Sequence, residues 1–156
     1  MTTLKVVLVK PSKYAVDGYV ERFKTGYMPN ATLYHIAGLT PKHINSVQVK
    51  TYTIDEYVRD DLEYLSHLKP DPDKNCTTIL ALVGVQSHQF HRALDLAAYA
   101  HKNGIRHCII GGPHPMTCDT TQFQNRGISF ALAEAEVIWQ EILNDAIDGE
   151  LKPVYG

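Results

Sequence analysis

The sequence is short of several things that would fix its class at once. It has three cysteines in 156 residues, Cys76, Cys108 and Cys118. Their number is odd and no CxxC or CxxxCxxC spacing occurs, so neither a disulfide framework nor a thiolate metal or cluster site is encoded. Reduced thiols in a cytoplasmic protein are the expectation. An excess of charge is also missing: 15 basic residues face 17 acidic ones, a formal charge of −2. Nothing neutralises a phosphate backbone or an anionic bilayer, so neither nucleic acid nor membrane is expected as a partner. No apolar run approaches the ~20 residues that span a bilayer. The first such run, Val6 to Val9, has only a strand's length and meets Lys10-Pro11, unlike a signal peptide. Catalytic spacing is absent too: no Ser-His-Asp, Cys-His or paired-carboxylate arrangement stands out, and neither GxGxxG nor GxxxxGK[ST] follows a strand.

What is present is an ordinary globular composition, 44% hydrophobic and 21% charged, in a length suited to one domain, residues 1–156. Leu4 to Val9 is a β-branched apolar run of the kind buried on both sheet faces. Ser12 to Asn30, with Gly18, Gly26 and Pro29 and tyrosines at 14, 19 and 27, reads as a long loop with a short helix around Tyr19 to Phe23. A loop of that length is a candidate lid or ligand wall. A helix follows from Asn30 to Leu39, then a strand from Ser46 to Thr53, then a helix capped by Thr53 or Asp55 that runs to Leu68. Thr77 to Val85 is the most apolar strand and so the expected centre of the sheet. Ala93, Leu94, Leu96, Ala97 and Ala100 form a helical stripe ending at Asn103-Gly104. Ile105 to Ile110 and Ile128 to Leu132 are further strands, separated by a short helix around Asp119 to Gln124. Glu134 to Ile147 is the last helix. Five short buried strands alternating with helices predict an α/β, doubly wound, Rossmann-like or flavodoxin-like fold with a five-stranded parallel sheet in the order 2-1-3-4-5. Its ligand site belongs at the carboxyl ends of the strands.

The loops at that edge carry few charges. They contain Lys10-Pro11-Ser12, Gln86-Ser87-His88, Gly111-Gly112-Pro113-His114 and Ala133-Glu134. The first lacks the acidic residues of a phosphate-accepting receiver and the hydroxyl-rich cradle of a flavodoxin. Gly84 and Gly111-Gly112 leave room for a flat or extended ligand, but they serve backbone geometry equally well, and Ser87 reads equally as a helix cap. His88 and His91, three apart, could meet His114 in a three-histidine zinc site.

Taken together, VVLVKPS, TLYHIAGLTP, LVGVQSHQFHRALDLAAYAHKNG, CIIGGPHP and FALAEAEVIWQEIL resemble the N-terminal cobalamin (B12)-binding domain of cobalamin-dependent radical SAM enzymes. The resemblance covers nearly the whole chain, and GGPHP followed by a strand and an AEAE turn is its most specific part. It implies a site for cobalamin, as methylcobalamin or hydroxocobalamin. The nucleotide tail would pass Ser87 and Gly111-Gly112, and the corrin would lie near Lys10, Pro11, Ser12, Gln86, Ser87, His88, Pro113 and His114. Glu134 would either contact ligand hydroxyls or amides or serve the helix start. The DxHxxG motif that many cobalamin proteins carry after the first strand is replaced here by Pro11 to Gly18, without histidine, so base-off cobalamin lacking a histidine ligand from that loop is expected. Ala133 stands where glycine is usual. The iron–sulfur cluster and SAM would belong to a radical SAM domain supplied in cis or in trans, and no turnover is expected from this chain alone. Two other readings stay open: a doubly wound docking or regulatory domain without ligand, and a small metal enzyme built on His88, His91 and His114.

Overall fold

In Thr3–Lys10 (β1) the side chains of Val6, Val7, Leu8 and Val9 are all without solvent exposure. A strand can be apolar on successive residues only if both faces are covered, and here they are. The computed structural model describes residues 2–22, 30–58, 63–124 and 126–156. Around β1 it sets Val47–Asp55 (β3) on one side and Cys76–Leu82 (β4) on the other, both parallel, with Leu8 opposite Thr53 and Ala81. His107–Gly111 (β5), Ser129–Ala131 (β6) and Val154–Tyr155 (β7) extend the sheet in parallel, and His43–Ile44 (β2) closes the other edge antiparallel to β3.

The fold is thus α/β with a mostly parallel sheet of seven strands in the order β2-β3-β1-β4-β5-β6-β7. This corrects the expected five-stranded sheet 2-1-3-4-5. The two extra strands are two residues long, too short to leave a periodic trace. β2 arises because Asn45, at φ 53°, turns the chain back in a tight hairpin, a conformation asparagine tolerates. β7 is pinned by the Tyr155 hydroxyl, which donates to Asp145 (2.7 Å) and accepts from the Lys152 amide (2.9 Å).

Ala31–Leu39 (α1), N-capped by Asn30, and Ala135–Asp148 (α4) cover one face. Leu33, Ile36, Ile138, Trp139 and Ile142 pack there on Leu8, Ala81 and Ile109. Phe90–Lys102 (α2) covers the other with Phe90, Ala93, Leu96, Ala97 and Ala100, on Val7, Val9, Leu82 and Ile110. Each buried Leu, Ile or Phe contributes about 1.5–3 kcal/mol relative to exposure. The expected stripe on α2 and the turn at Gly104 (φ 102°) are both present.

Other expectations need correcting. Thr53 and Asp55 lie on β3 rather than capping a helix. The Asp55 carboxylate accepts from the Tyr57 amide in a local turn, and the described end of the expected helix is a 3₁₀ segment, Glu63–Leu68. Leu62 lies outside the described residues, as do Phe23 and Pro29. Tyr19 belongs to a hairpin closed by a bridge between Tyr14 and Val20, not to a helix. Between Asp119 and Gln124 only the 3₁₀ turn Thr121–Phe123 forms. Pro113–Thr117 (α3) is a five-residue helix with Pro113 at its start, where a missing amide hydrogen costs nothing.

Candidate functional site

At the carboxyl ends of β4, β5 and β6 the sheet and its covering helices part to leave a cleft of about 630 Å³. Its floor is Ala81, Val83, Gly84, Gly111 and Ala131, and its walls are α1 (Thr32, His35, Ile36), α4 (Ala135, Ile138, Trp139) and α3 (Met116, Thr117). Small residues make the space. A Cβ on Gly111 would stand 3.2 Å from that of Ala131, and one on Gly84 would stand 3.3 Å from the Lys10 Nζ. Trp139 is held in the wall by its indole N–H, which donates to Thr40 Oγ1 at 2.9 Å. At the rim, Glu136 and His35 are joined by a hydrogen bond that bridges α4 and α1. The backbone at the helix start and the His35 partner keep the Glu136 carboxyl below the usual range.

Gly112 belongs to a different kind of contact. At φ 133° its added Cβ would fall 2.1 Å from the Val85 nitrogen, while Val85 N–H donates to the Gly111 carbonyl and His114 N–H to the Val85 carbonyl, both at 2.9 Å. The loops after β4 and β5 are therefore laced backbone to backbone, and glycine is required there by geometry.

Two polar networks lie at the same edge of the sheet, the first of them reaching the cleft at Gly84. The Lys10 ammonium, 7% exposed, donates to the Gly84 carbonyl and to Gln89 Oε1 (2.7 Å), and Gln89 donates onward to the Tyr57 hydroxyl (2.8 Å). Burial lowers the Lys10 pKa to about 8, against the opposing pull of Asp55. Glu56 is fully buried and accepts from Arg92 Nη2 at 2.7 Å, from Arg92 Nε at 3.0 and 3.1 Å, and from the Ser12 amide at 2.9 Å. Arg92 also reaches the Tyr14 hydroxyl (3.2 Å), which donates to Asp95. These bonds fasten the loop after β1 to β3 and α2.

The residues singled out in the sequence separate into three places. Gly111, Gly112, Pro113 and Glu134 line the cleft. Gln86, Ser87 and His88 are exposed in and before a 3₁₀ turn, Ser87–Gln89, that leads into α2. Ser87 is not the cap of α2. Its hydroxyl meets His114 Nδ1 at 2.9 Å, and the His114 ring stacks on Phe90 with centroids 4.1 Å apart. Burial, then the nearby His91, lowers the His114 pKa. Lys10, Pro11 and Ser12 are buried. Ala133 avoids the left-handed region, where among the described residues only Asn45 is a non-glycine, so its methyl group costs no backbone strain.

The three-histidine zinc site is not formed. Among the described residues no group of three His, Cys, Asp or Glu side chains is placed to hold a metal ion, and one His114 nitrogen is engaged by Ser87. No described helix is long and apolar enough to cross a membrane. Sequence reasoning missed most of the cleft: Thr32, His35, Ala81, Ala131 and Trp139 are far apart in the chain, and only the pairing of α1 with α4 over the sheet brings them together. The alternation of small residues in Ala131, Ala133 and Ala135 is the one signal that could have found part of it. No family model, no curated protein and no solved structure matches this chain.

Proposed function

We propose that this chain binds cobalamin in base-off form as the carrier domain for radical SAM chemistry, without turnover of its own. The observation that carries the reading is the 630 Å³ cleft, walled by apolar residues and floored by Gly84, Gly111 and Ala131 at the carboxyl ends of the strands. Apart from the two-residue edge strands, the sheet runs β3-β1-β4-β5-β6. That is a doubly wound order, whose ligand crevice opens at this edge. The space fits a ligand with a flat apolar end: side chains at Gly84 or Gly111 would fill the cradle, and Trp139, 5% exposed, is part of the apolar lining. Gly84, Gly111, Ala131 and Trp139 would hold the nucleotide tail. The exposed Gln86, Ser87 and His88, with Pro113 and His114, would face the corrin. When bound, cobalamin supplies a cobalt centre that carries a methyl group or an electron pair to a radical SAM domain, the expected partner in cis or in trans.

The chain's own residues bind and orient. The loop after β1 contains no histidine, and its Ser12 and Tyr14 are committed to Glu21, Asp95 and Arg92. It therefore offers cobalt no imidazole.

The test is to mix the protein with hydroxocobalamin, desalt, and record the visible spectrum. Retention of a stoichiometric base-off corrin spectrum supports the reading. A colourless protein favours a ligand-free docking domain, in which the glycines serve only the loop contact seen at Gly112.

A further inference from the structure

A second cavity, of about 260 Å³, lies at the amino ends of β5 and β6, the edge of the sheet opposite the cleft. Its volume is that of about eight or nine liquid waters. Arg106, His107, Ser129 and Glu150 line it. Strand alternation settles two of their directions: His107 shares a face with Ile109 and Ser129 with Ala131, and both of those pack in the core under α4. The imidazole and the hydroxyl therefore point toward α4 and the turn that follows it. The Ser129 hydroxyl is satisfied, donating to the Lys152 carbonyl at 2.6 Å.

His107 is not. Its side chain is 5% exposed, and the imidazole makes no hydrogen bond to any described residue. The ring is buried but its nitrogens are not sealed from solvent, since among the described residues only Thr78 Oγ1 is a buried side-chain polar atom without a partner; a donor and an acceptor are therefore open to whatever enters the space beside them. Burial first, and then the charge of Arg106, lowers the His107 pKa, so at neutral pH the ring has one nitrogen to donate and one to accept. Arg106 and Glu150 are both exposed, and neither forms an ion pair with a described residue. One cavity thus carries an uncommitted cation, an uncommitted anion and an uncommitted neutral imidazole.

That set discriminates between ligands by charge. A plain anion attracted to Arg106 is opposed by Glu150, and a plain cation attracted to Glu150 is opposed by Arg106. A small molecule carrying both charges gains from each. We propose that this cavity binds a small zwitterion of the α-amino acid type, with its carboxylate toward Arg106, its ammonium toward Glu150 and His107 hydrogen-bonding between them. The site is independent of the cobalamin cleft.

The experiment follows the His107 ring resonances of the full chain by NMR, assigned through bonds. The probes are glycine, L-leucine, acetate and ethylammonium. A saturable shift with the amino acids, at least roughly tenfold weaker with acetate and with ethylammonium, is expected; tenfold corresponds to about 1.4 kcal/mol. Arg106→Ala and Glu150→Gln, at exposed positions, should keep the wild-type fold and each weaken the amino acid response by about the same factor. If acetate shifts the ring as strongly as glycine, the site takes anions and the zwitterion is wrong. If no probe gives a saturable shift, the cavity holds water alone and the proposal fails.

Discussion

Gly112→Ala separates backbone geometry from ligand clearance in the glycines of the carboxyl edge. The new methyl group would stand 2.1 Å from the Val85 nitrogen and 2.7 Å from the Gly84 carbonyl carbon, atoms of backbone that cannot rotate away. Residue 112 sits at φ 133° and ψ −171°, a region populated almost only by glycine, where another residue costs about 1–3 kcal/mol. Moving the loops apart also lengthens the two 2.9 Å bonds through Val85, each worth about 0.5–1.5 kcal/mol. The expected loss is therefore about 2–6 kcal/mol. Urea unfolding reads it directly: with a slope of about 1–3 kcal/mol per molar, the midpoint should fall by about 0.7 M or more while the slope holds. Two companions set the scale. Gly38→Ala lies inside α1 with open space around the added Cβ and should gain about 0.5–1 kcal/mol. Gly111→Ala meets only the Ala131 methyl, at 3.2 Å, and should cost about 1 kcal/mol or less, the low end of overpacking. If Gly112→Ala unfolds within about 0.5 kcal/mol of the wild type, the loop contact is not what fixes this glycine, and the reasoning is wrong.

Lys10 provides a pH signature. Its folded pKa of about 8 lies below the ordinary 10.5, so between those values the unfolded chain holds the proton more tightly than the folded one. Stability contributed by this group must then rise with pH across that window and be level below it. Measured as the difference between wild type and Lys10→Met, the rise should appear from pH 8 to about 10.5; a flat or falling difference would remove the buried ammonium from the account. Tyr155→Phe deletes the hydroxyl that joins Asp145 to the Lys152 amide and should cost about 1–3 kcal/mol in thermal or urea unfolding. In cob(II)alamin bound to the protein, electron paramagnetic resonance should show no nitrogen splitting from a protein histidine, and His88→Ala and His114→Ala should leave the spectrum unchanged. A splitting lost in either variant would locate a cobalt ligand outside the loop after β1.

The long apolar runs carried their structures openly. β1 and β4 are apolar on successive residues, which suits strands covered on both faces, and the apolar stripe of α2 recurs with the helical period, which suits a helix covered on one. The hairpin at Asn45 and the helix at Pro113 were not legible, since each is decided by a few residues whose alternatives differ by little. The carboxyl edge was half legible. Gly111, Gly112, Pro113 and Glu134 do meet at one cleft, but for two reasons: Gly111 leaves the floor open, whereas Gly112 lets the Val85 backbone pass. Lys10 and Ser12 read from the sequence as loop residues facing a ligand. Instead they are buried against Gln89 and Glu56, partners 79 and 44 residues away that no local pattern reveals.

The cleft itself is the central claim, and Ala135→Trp tests it with the fold left in place. Ala135 is half-buried at the first turn of α4 and lines the cleft, so an indole there would fill the space without entering the core. After incubation with hydroxocobalamin and desalting, wild type should retain one corrin per chain and Ala135→Trp should emerge colourless with an unchanged circular dichroism spectrum. Equal retention by the two proteins, or none by the wild type, would contradict a cobalamin site in this cleft.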